Sequence, residues 1–178
     1  MVKVRPPGQP PLRTPVAGGG GGRLNLLLTD AGWQDESWAD RLPRLLEPMG
    51  VRAWRAASGD EASRLIRSVP VHIAVVDLAL PLHGPDPDST SEEGGGRILE
   101  LLARLEQPPP TVVVKRRRTG REDARQLASA LQAGVFAVLE QPVNLETALE
   151  VMRRVLNRHY ADRWPGRHAP TTRGGHPL

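Results

Sequence analysis

The chain has 178 residues, about the length of one domain, and 39% of them are hydrophobic, enough for one buried core. It has no cysteine, which excludes disulfides, cysteine-ligated zinc and thiol nucleophiles. The net charge of +4 comes from the two ends, since residues 24–160 hold 17 basic and 19 acidic side chains, so the body of the fold is not a basic surface for nucleic acid.

Both ends of the chain have compositions typical of disordered segments. Residues 1–22 are rich in proline and end in five glycines, and residues 161–178 are similarly rich in proline, glycine and polar residues. Such segments cannot bury enough apolar surface to offset the entropy of ordering. We therefore predict a flexible arm (1–22), one domain (23–160) and a disordered tail (161–178). Without a membrane span or signal peptide in the sequence, we expect a cytoplasmic protein with no membrane partner.

Between the ends, short apolar runs alternate with segments of helical period. The runs predict five strands, at residues 24–29, 51–56, 72–78, 111–114 and 135–139. The segments between and after them predict five helices, including a first helix at 38–49, a third at 97–106 and a fifth ending near 159. This alternation predicts an α/β fold with a doubly wound, five-stranded parallel sheet.

Capping residues and prolines set the predicted helix boundaries. Asn144 caps the fifth helix, Gly134 ends the fourth, and capping boxes open the second and fourth; the boxes are Ser58 with Glu61 and Thr119 with Glu122. Pro43 and Pro48 predict a short or kinked first helix. The apolar face of the fourth helix is predicted to consist of Ala124, Leu127, Ala128 and Leu131.

Polar residues follow the apolar strands at the places where the strands end. In open parallel sheets, binding sites form beyond the carboxyl ends of the strands. The residues there are Asp30, Asp77, Lys115 and Gln141, and they form the candidate site. Lys115 opens a run of four cations, Lys115 to Arg118, at the end of a strand that has the composition of a buried one.

The order of these residues and several local motifs resemble a CheY-like response-regulator receiver domain. The matching motifs are Asp30 after the first strand, Ala57-Ser58-Gly59 with Glu61-Ala62, Val75-Val76-Asp77 with Pro81, Ala133-Gly134 and Gln141-Pro142. The resemblance covers residues 24–158, and it implies the flavodoxin/CheY-like (βα)5 fold.

The resemblance also implies a mechanism. Asp77 matches the phosphoacceptor that a histidine kinase modifies, and Asp30, Asp77 and the backbone carbonyl of Ala79 match the groups that hold Mg²⁺. Lys115, Gln141 and Val138 stand at the phosphoryl-contact and switch positions. The implied output passes through contacts with a downstream effector, and no catalytic residue is assigned beyond phosphoacceptor self-phosphorylation.

Four positions depart from the family pattern. Thr29 replaces one of two acidic residues, Lys115 a Thr or Ser, Gln141 a Lys, and Val138 an aromatic residue. Losing a carboxylate weakens a Mg²⁺ site, since this cation requires oxygen ligands and opposing charge. The resemblance therefore implies a receiver with a degenerate site.

Three functional hypotheses remain open. The first is a stand-alone phosphorelay receiver with Asp77 as acceptor. The second is a phosphorylation-independent pseudo-receiver, a scaffold or dimerisation module in which Lys115 pairs with Asp77. The third, disfavoured by the balanced body charge, is a nucleic-acid-associated protein that uses its basic arms and the patch 115–118. The acidic loop 84–96 is predicted to be an inserted lid or partner contact.

Overall fold

The computed structural model describes residues 23–30, 38–84, 93–116 and 120–160, apart from the side chains of residues 122, 123 and 126. These residues form one five-stranded sheet and five α-helices, as the alternation in the sequence predicts. The predicted arm, the predicted tail and most of the acidic loop lie outside the described residues.

Strands and helices alternate without exception in the described residues. In chain order they are β1 (Leu24–Thr29), α1 (Trp38–Leu46), β2 (Val51–Ala56), α2 (Gly59–Ser68), β3 (Ile73–Asp77), α3 (Gly95–Ala103), β4 (Thr111–Lys115), α4 (Arg121–Gln132), β5 (Ala137–Glu140) and α5 (Leu145–Tyr160). A short 3₁₀ helix, Glu47–Met49, follows α1. The predicted bounds hold to within a few residues; α3, for example, begins and ends slightly earlier than the predicted 97–106.

The sheet is parallel throughout, with the strand order β2-β1-β3-β4-β5. This order confirms the predicted doubly wound fold, with β3 as the central strand. Because parallel strands end at the same edge of a sheet, the last residues of the five strands lie along one rim. These residues are Thr29, Ala56, Asp77, Lys115 and Glu140.

Both faces of the sheet are buried by helices. Successive residues of a strand face opposite sides, so Val75 packs in the cluster with α1 and α5, whereas Val76 packs in the cluster with α2 and α3. Every residue of β3 and of β4 is buried. Burial on both sides explains why these two strands are apolar at successive positions rather than at alternate ones.

Several predicted helix boundaries are confirmed by hydrogen bonds. The Ser58 hydroxyl accepts from the N–H of Glu61 at 3.2 Å, and the Asn144 side chain accepts from the N–H of Glu146 at 2.8 Å. Gly134 has a positive φ of 71° just after α4, as expected for the residue that terminates a helix. The first helix is short, as its prolines predict, and ends at Leu46.

The fourth helix corrects two predictions. It begins at Arg121 with Gly120 at the N-cap position, while Thr119 lies outside the described residues. Its predicted apolar face is exposed: Leu127 is 36% and Leu131 60% accessible. The helix instead turns the small Ala130 inward, beside an open groove of about 450 Å³ between α3 and α4. Leucines spaced among alanines and polar residues define an apolar stripe too weakly to fix which side packs.

At the amino end of the sheet, His72 joins β1 to the start of β3. Its Nδ1 accepts a hydrogen bond of 2.9 Å from the backbone N–H of Asn25, and its carbonyl accepts one from the Tyr160 hydroxyl. Burial lowers the pKa of His72 below its ordinary value of 6.5. The fold therefore favours the neutral ring, because only an unprotonated Nδ1 can accept from Asn25.

A pH titration of stability checks this role of His72. The unfolded chain binds a proton at His72 more readily than the folded chain, so the contribution is intact above pH 6.5 and is lost as the pH falls toward the lower folded pKa. In His72→Asn, whose amide oxygen can still accept but does not titrate, this loss should be absent. Urea unfolding of both proteins between pH 7.5 and 5 measures the difference. A constant stability difference across that range would contradict the assignment.

Candidate functional site

The site is centred on Asp77, the last residue of the central strand. Asp77 is 3% accessible, and each of its carboxylate oxygens accepts a hydrogen bond. The backbone N–H of Ala79 donates to Oδ1 at 2.9 Å, and the side-chain amide of Gln141 donates to Oδ2 at 3.1 Å. Two of the predicted site residues, Asp77 and Gln141, are therefore in direct contact. Both hydrogen-bond donors to the Asp77 carboxylate are neutral groups.

The electrostatic surroundings of Asp77 oppose its ionisation. Burial raises the pKa of Asp77, and the nearby negative charge of Asp30 raises it further. The hydrogen bond from Ala79, the charge of Arg116 and the hydrogen bond from Gln141 lower this pKa, but the net shift is upward. An ammonium at position 141 would favour the carboxylate more strongly than an amide does.

Thr29, interpreted from the sequence only as a lost carboxylate, has a structural role. Its side chain is buried, and its hydroxyl accepts a hydrogen bond of 2.8 Å from the backbone N–H of Asp77. The same hydroxyl donates to the carbonyl of Val75 at 3.4 Å. Thr29 thus fixes the end of β3 against the end of β1 and orients the backbone of Asp77. The sequence feature that indicates this role is a side chain with a hydroxyl group at the last position of an apolar strand.

Asp30, just beyond β1, is held by an arginine that the sequence did not single out. Arg55 Nη2 lies 3.3 Å from Asp30 Oδ2, and Arg55 Nη1 contacts the carboxylate of Asp40 in α1. The side chain of Asp30 is 19% accessible, so the pair lies at the margin of the crevice. Only the strand order, which places β2 beside β1, identifies Arg55 as a neighbour of the site.

Lys115 corrects the prediction that it pairs with Asp77. The side chain of Lys115 is 3% accessible, and its Nζ lies 2.9 Å from Glu140 Oε1. The reason is the register: Asp77 stands opposite Val114, so Lys115, one residue later, faces the other side of the sheet. On that side its partner in register is Glu140 of β5, a residue that the sequence analysis missed.

The remaining predicted site positions have less defined roles. Val138 is half-buried and packs beside the core cluster on the α2 and α3 side. The peptide bond between Gln141 and Pro142 is cis. Within the predicted basic patch, Arg116 is exposed, but Lys115 is buried and paired, and residues 117 and 118 lie outside the described part of the chain.

The connection after Asp77 packs against the N-terminus of α2. The N–H groups of Gly59 and Asp60 donate to the carbonyls of Pro81 and Leu82 at 2.8 and 3.0 Å, which satisfies the free donors of the α2 N-terminus. The N–H of Gly94 donates to the carbonyl of Leu80, so the chain that follows the loop is hydrogen-bonded to the segment that precedes it. Residues 85–92 of the predicted acidic loop lie outside the described residues, whereas Gly95 and Gly96, at its predicted end, belong to α3.

The crevice suits a divalent cation only in part. Among the described residues, no group of three or more His, Asp and Glu side chains is placed to hold a metal ion. Asp30 and Asp77 nevertheless lie close enough for one charge to raise the pKa of the other carboxyl. Two carboxylates and a backbone carbonyl fit Mg²⁺ chemically, because this cation takes oxygen ligands and retains several waters.

Comparison with solved structures supports the fold assignment. The chain is similar to a CheY-like response-regulator receiver domain protein from Methanospirillum hungatei, with 23% identity, a TM-score of 0.58 and coverage of 76% of this chain and 95% of that one. It is similar to a response-regulator receiver protein from Pseudomonas putida, with 18% identity, a TM-score of 0.56 and coverage of 75% and 98%. It is also similar to the chemotaxis response regulator CheY4 of Vibrio cholerae, with 20% identity, a TM-score of 0.56 and coverage of 75% and 99%.

At the level of sequence, no protein-family model and no curated protein matches the chain. The helices in the described residues include none that is long and apolar enough to cross a membrane. The chain's own sheet has the order β2-β1-β3-β4-β5, and its central strand ends in Asp77. The chain therefore has the fold of the CheY-like response-regulator receiver domains.

Proposed function

We propose that this chain is a receiver module of two-component signalling in which Asp77 accepts a phosphoryl group from a histidine kinase. The observation that carries the proposal is the position of Asp77, at the carboxyl end of the central strand and beside Asp30. A binding crevice is expected at that place in an open parallel sheet. The output passes through contacts with protein partners, as the receiver fold implies.

The chain's own residues have distinct parts in this reaction. A carboxylate oxygen of Asp77 attacks phosphorus, and the bond from phosphorus to the donor breaks, with its electron pair going to the leaving group. The N–H of Ala79 and the amide of Gln141 orient the attacking carboxylate. Thr29 fixes the backbone from which that carboxylate projects. Positioning of this kind supplies much of the catalysis in phosphoryl transfer.

The proposal includes Mg²⁺ held by Asp30, Asp77 and the backbone carbonyl of Ala79. When bound, the cation neutralises charge on the transferred group. This role matters more here than in a site with a lysine after the fifth strand, because Gln141 carries no charge. The resemblance to receiver domains implies that partners dock on a surface that includes α4, so the exposed Arg121 and Arg125 of this helix are candidate partner contacts.

The proposal is tested by intact-mass spectrometry after incubation with acetyl phosphate and Mg²⁺. We expect one phosphoryl adduct on the wild type and none on Asp77→Asn, which preserves the size of the side chain but removes the nucleophilic carboxylate. Circular dichroism of both proteins verifies that the variant is folded. An adduct of equal yield on Asp77→Asn would place the chemistry elsewhere and overturn the assignment.

A second candidate function is a phosphorylation-independent receiver-fold scaffold. It is favoured by the neutral amide at Gln141 and by the engagement of Lys115 with Glu140, which leaves a conventional switch incomplete. In this alternative no adduct forms on the wild type. Because Lys115 is paired across the sheet with Glu140, Lys115→Thr is not expected to release Asp77 for phosphorylation.

A further inference from the structure

Arg55 connects two carboxylates at the margin of the crevice. It is the penultimate residue of β2 and stands in register with Leu28, near the rim of the sheet. One guanidinium nitrogen lies 3.3 Å from Asp30, and another contacts Asp40 of α1. A single guanidinium therefore joins the end of β1 to α1. It binds the carboxylate of Asp30, which is also a proposed ligand of the metal ion.

The guanidinium and a divalent cation are both attracted to the negative charge of the Asp30 carboxylate. Leu28 of β1 stands opposite Val75 of β3, and Asp30 and Asp77 each lie two residues further along, so a cation between their carboxylates would relieve the repulsion between them. Arg55 supplies one positive charge 3.3 Å from Asp30 Oδ2. A cation that approaches Asp30 must therefore overcome the repulsion of Arg55 and compete with it for the carboxylate.

We propose that Arg55 is a positioning residue that sets the affinity of the crevice for Mg²⁺ by competing for Asp30. This inference rests on the metal site of the proposed function. Asp40 holds the other side of the guanidinium and gives it a place to remain when Asp30 turns to the cation. Arg55 and Asp40 thus act in opposite directions: Arg55 weakens metal binding, and Asp40 moderates that effect.

The chain offers a matched control on the same strand. Arg52 also lies in β2, but its guanidinium is 5.8 Å from the centre of the Trp54 ring and is not in an ion pair with Asp30 or Asp40. Arg52→Gln and Arg55→Gln change the net charge of the protein by the same amount. A difference between them therefore reports the local contact rather than the charge of the whole molecule.

Isothermal titration with MgCl₂ at fixed ionic strength tests the proposal. We expect Arg55→Gln to bind Mg²⁺ roughly fivefold more tightly than the wild type, in line with an exposed ion pair. Arg52→Gln should stay within about twofold of the wild type, and Asp40→Asn should bind no more tightly than the wild type. Asp30→Asn, which removes the contested carboxylate, should abolish the gain in an Arg55→Gln background.

Each contrary outcome overturns the inference. These outcomes are equal affinities for Arg55→Gln and the wild type, equal gains for Arg55→Gln and Arg52→Gln, or no Mg²⁺ binding by any variant. Failure of the proposed function is a separate result, because it is measured as the absence of a phosphoryl adduct on Asp77. If Arg55→Gln binds Mg²⁺ more tightly than the wild type but Asp77 is not phosphorylated, the inference stands and the phosphorelay function is rejected.

Discussion

Replacing Gly95 with alanine is expected to destabilise the protein by about 3 kcal/mol, the upper range for forcing extra atoms into a packed site. A Cβ at position 95 would lie 2.5 Å from both the carbonyl oxygen of Asp77 and the Cα of Leu78. These are backbone atoms, so they cannot move aside by rotation of a side chain. To accommodate alanine, α3 must shift away from the sheet or the end of β3 must move.

Gly96 provides a matched control for this prediction. It follows Gly95 in α3, and a Cβ built there meets nothing within 4 Å. Alanine is a better helix former than glycine by up to about 1 kcal/mol, so Gly96→Ala should be neutral or stabilising. Urea unfolding followed by circular dichroism measures both variants. Similar stabilities for the two variants would show that the close approach of α3 to Asp77 is not a constraint on the fold.

The fold was predictable because its signals are redundant. Five apolar runs, the helical segments between them and the capping residues Ser58 and Asn144 agree on one alternating α/β architecture. The acid after the third run marks the carboxyl end of the central strand. The need for glycine at position 95 was not predictable, because it depends on the distance between α3 and β3 rather than on any local pattern.

The prediction for Lys115 was wrong for a physical reason. A strand buried on both faces is apolar at every position, so its sequence does not reveal which residues of the neighbouring strands lie beside a given residue. The register with β3 and β5 decides it, and it places Lys115 opposite Glu140. The same lack of register information concealed Arg55, which becomes a neighbour of Asp30 only because β2 pairs with β1.

Thr29 shows a different limit of comparison with a family pattern. A substitution at a known position is first interpreted as the loss of the usual group, here a carboxylate. The structure shows what the new group does: the hydroxyl accepts from the N–H of Asp77 and donates to Val75. The position still serves the site, but it does so by orienting the backbone rather than by attracting a cation.

Replacing Gln141 with lysine is expected to speed phosphoryl acceptance at Asp77 by at least about tenfold, which corresponds to roughly 1.4 kcal/mol of added transition-state stabilisation. The amide of Gln141 already lies 3.1 Å from Asp77 Oδ2, so a side chain from this position reaches the carboxylate. An ammonium there would lower the raised pKa of Asp77 and neutralise charge as the phosphoryl group transfers.

Gln141→Met separates the effect of charge from the effect of the hydrogen bond. Methionine has a similar length but cannot donate, so Asp77 Oδ2 would lose its contact with residue 141. We expect this variant to accept phosphoryl groups more slowly than the wild type. The rates are measured by intact-mass spectrometry during incubation with acetyl phosphate and Mg²⁺, with Asp77→Asn as the blank for modification at other residues.

The order of the three rates decides what Gln141 does. Lysine fastest and methionine slowest would mean that the amide is a weak substitute for an ammonium, and that the chain is a slow but working receiver. Equal rates for all three would mean that contact with residue 141 does not limit the transfer. An adduct on Gln141→Lys alone would mean that the fold and Asp77 are competent, and that the missing charge is what makes the natural chain independent of phosphorylation.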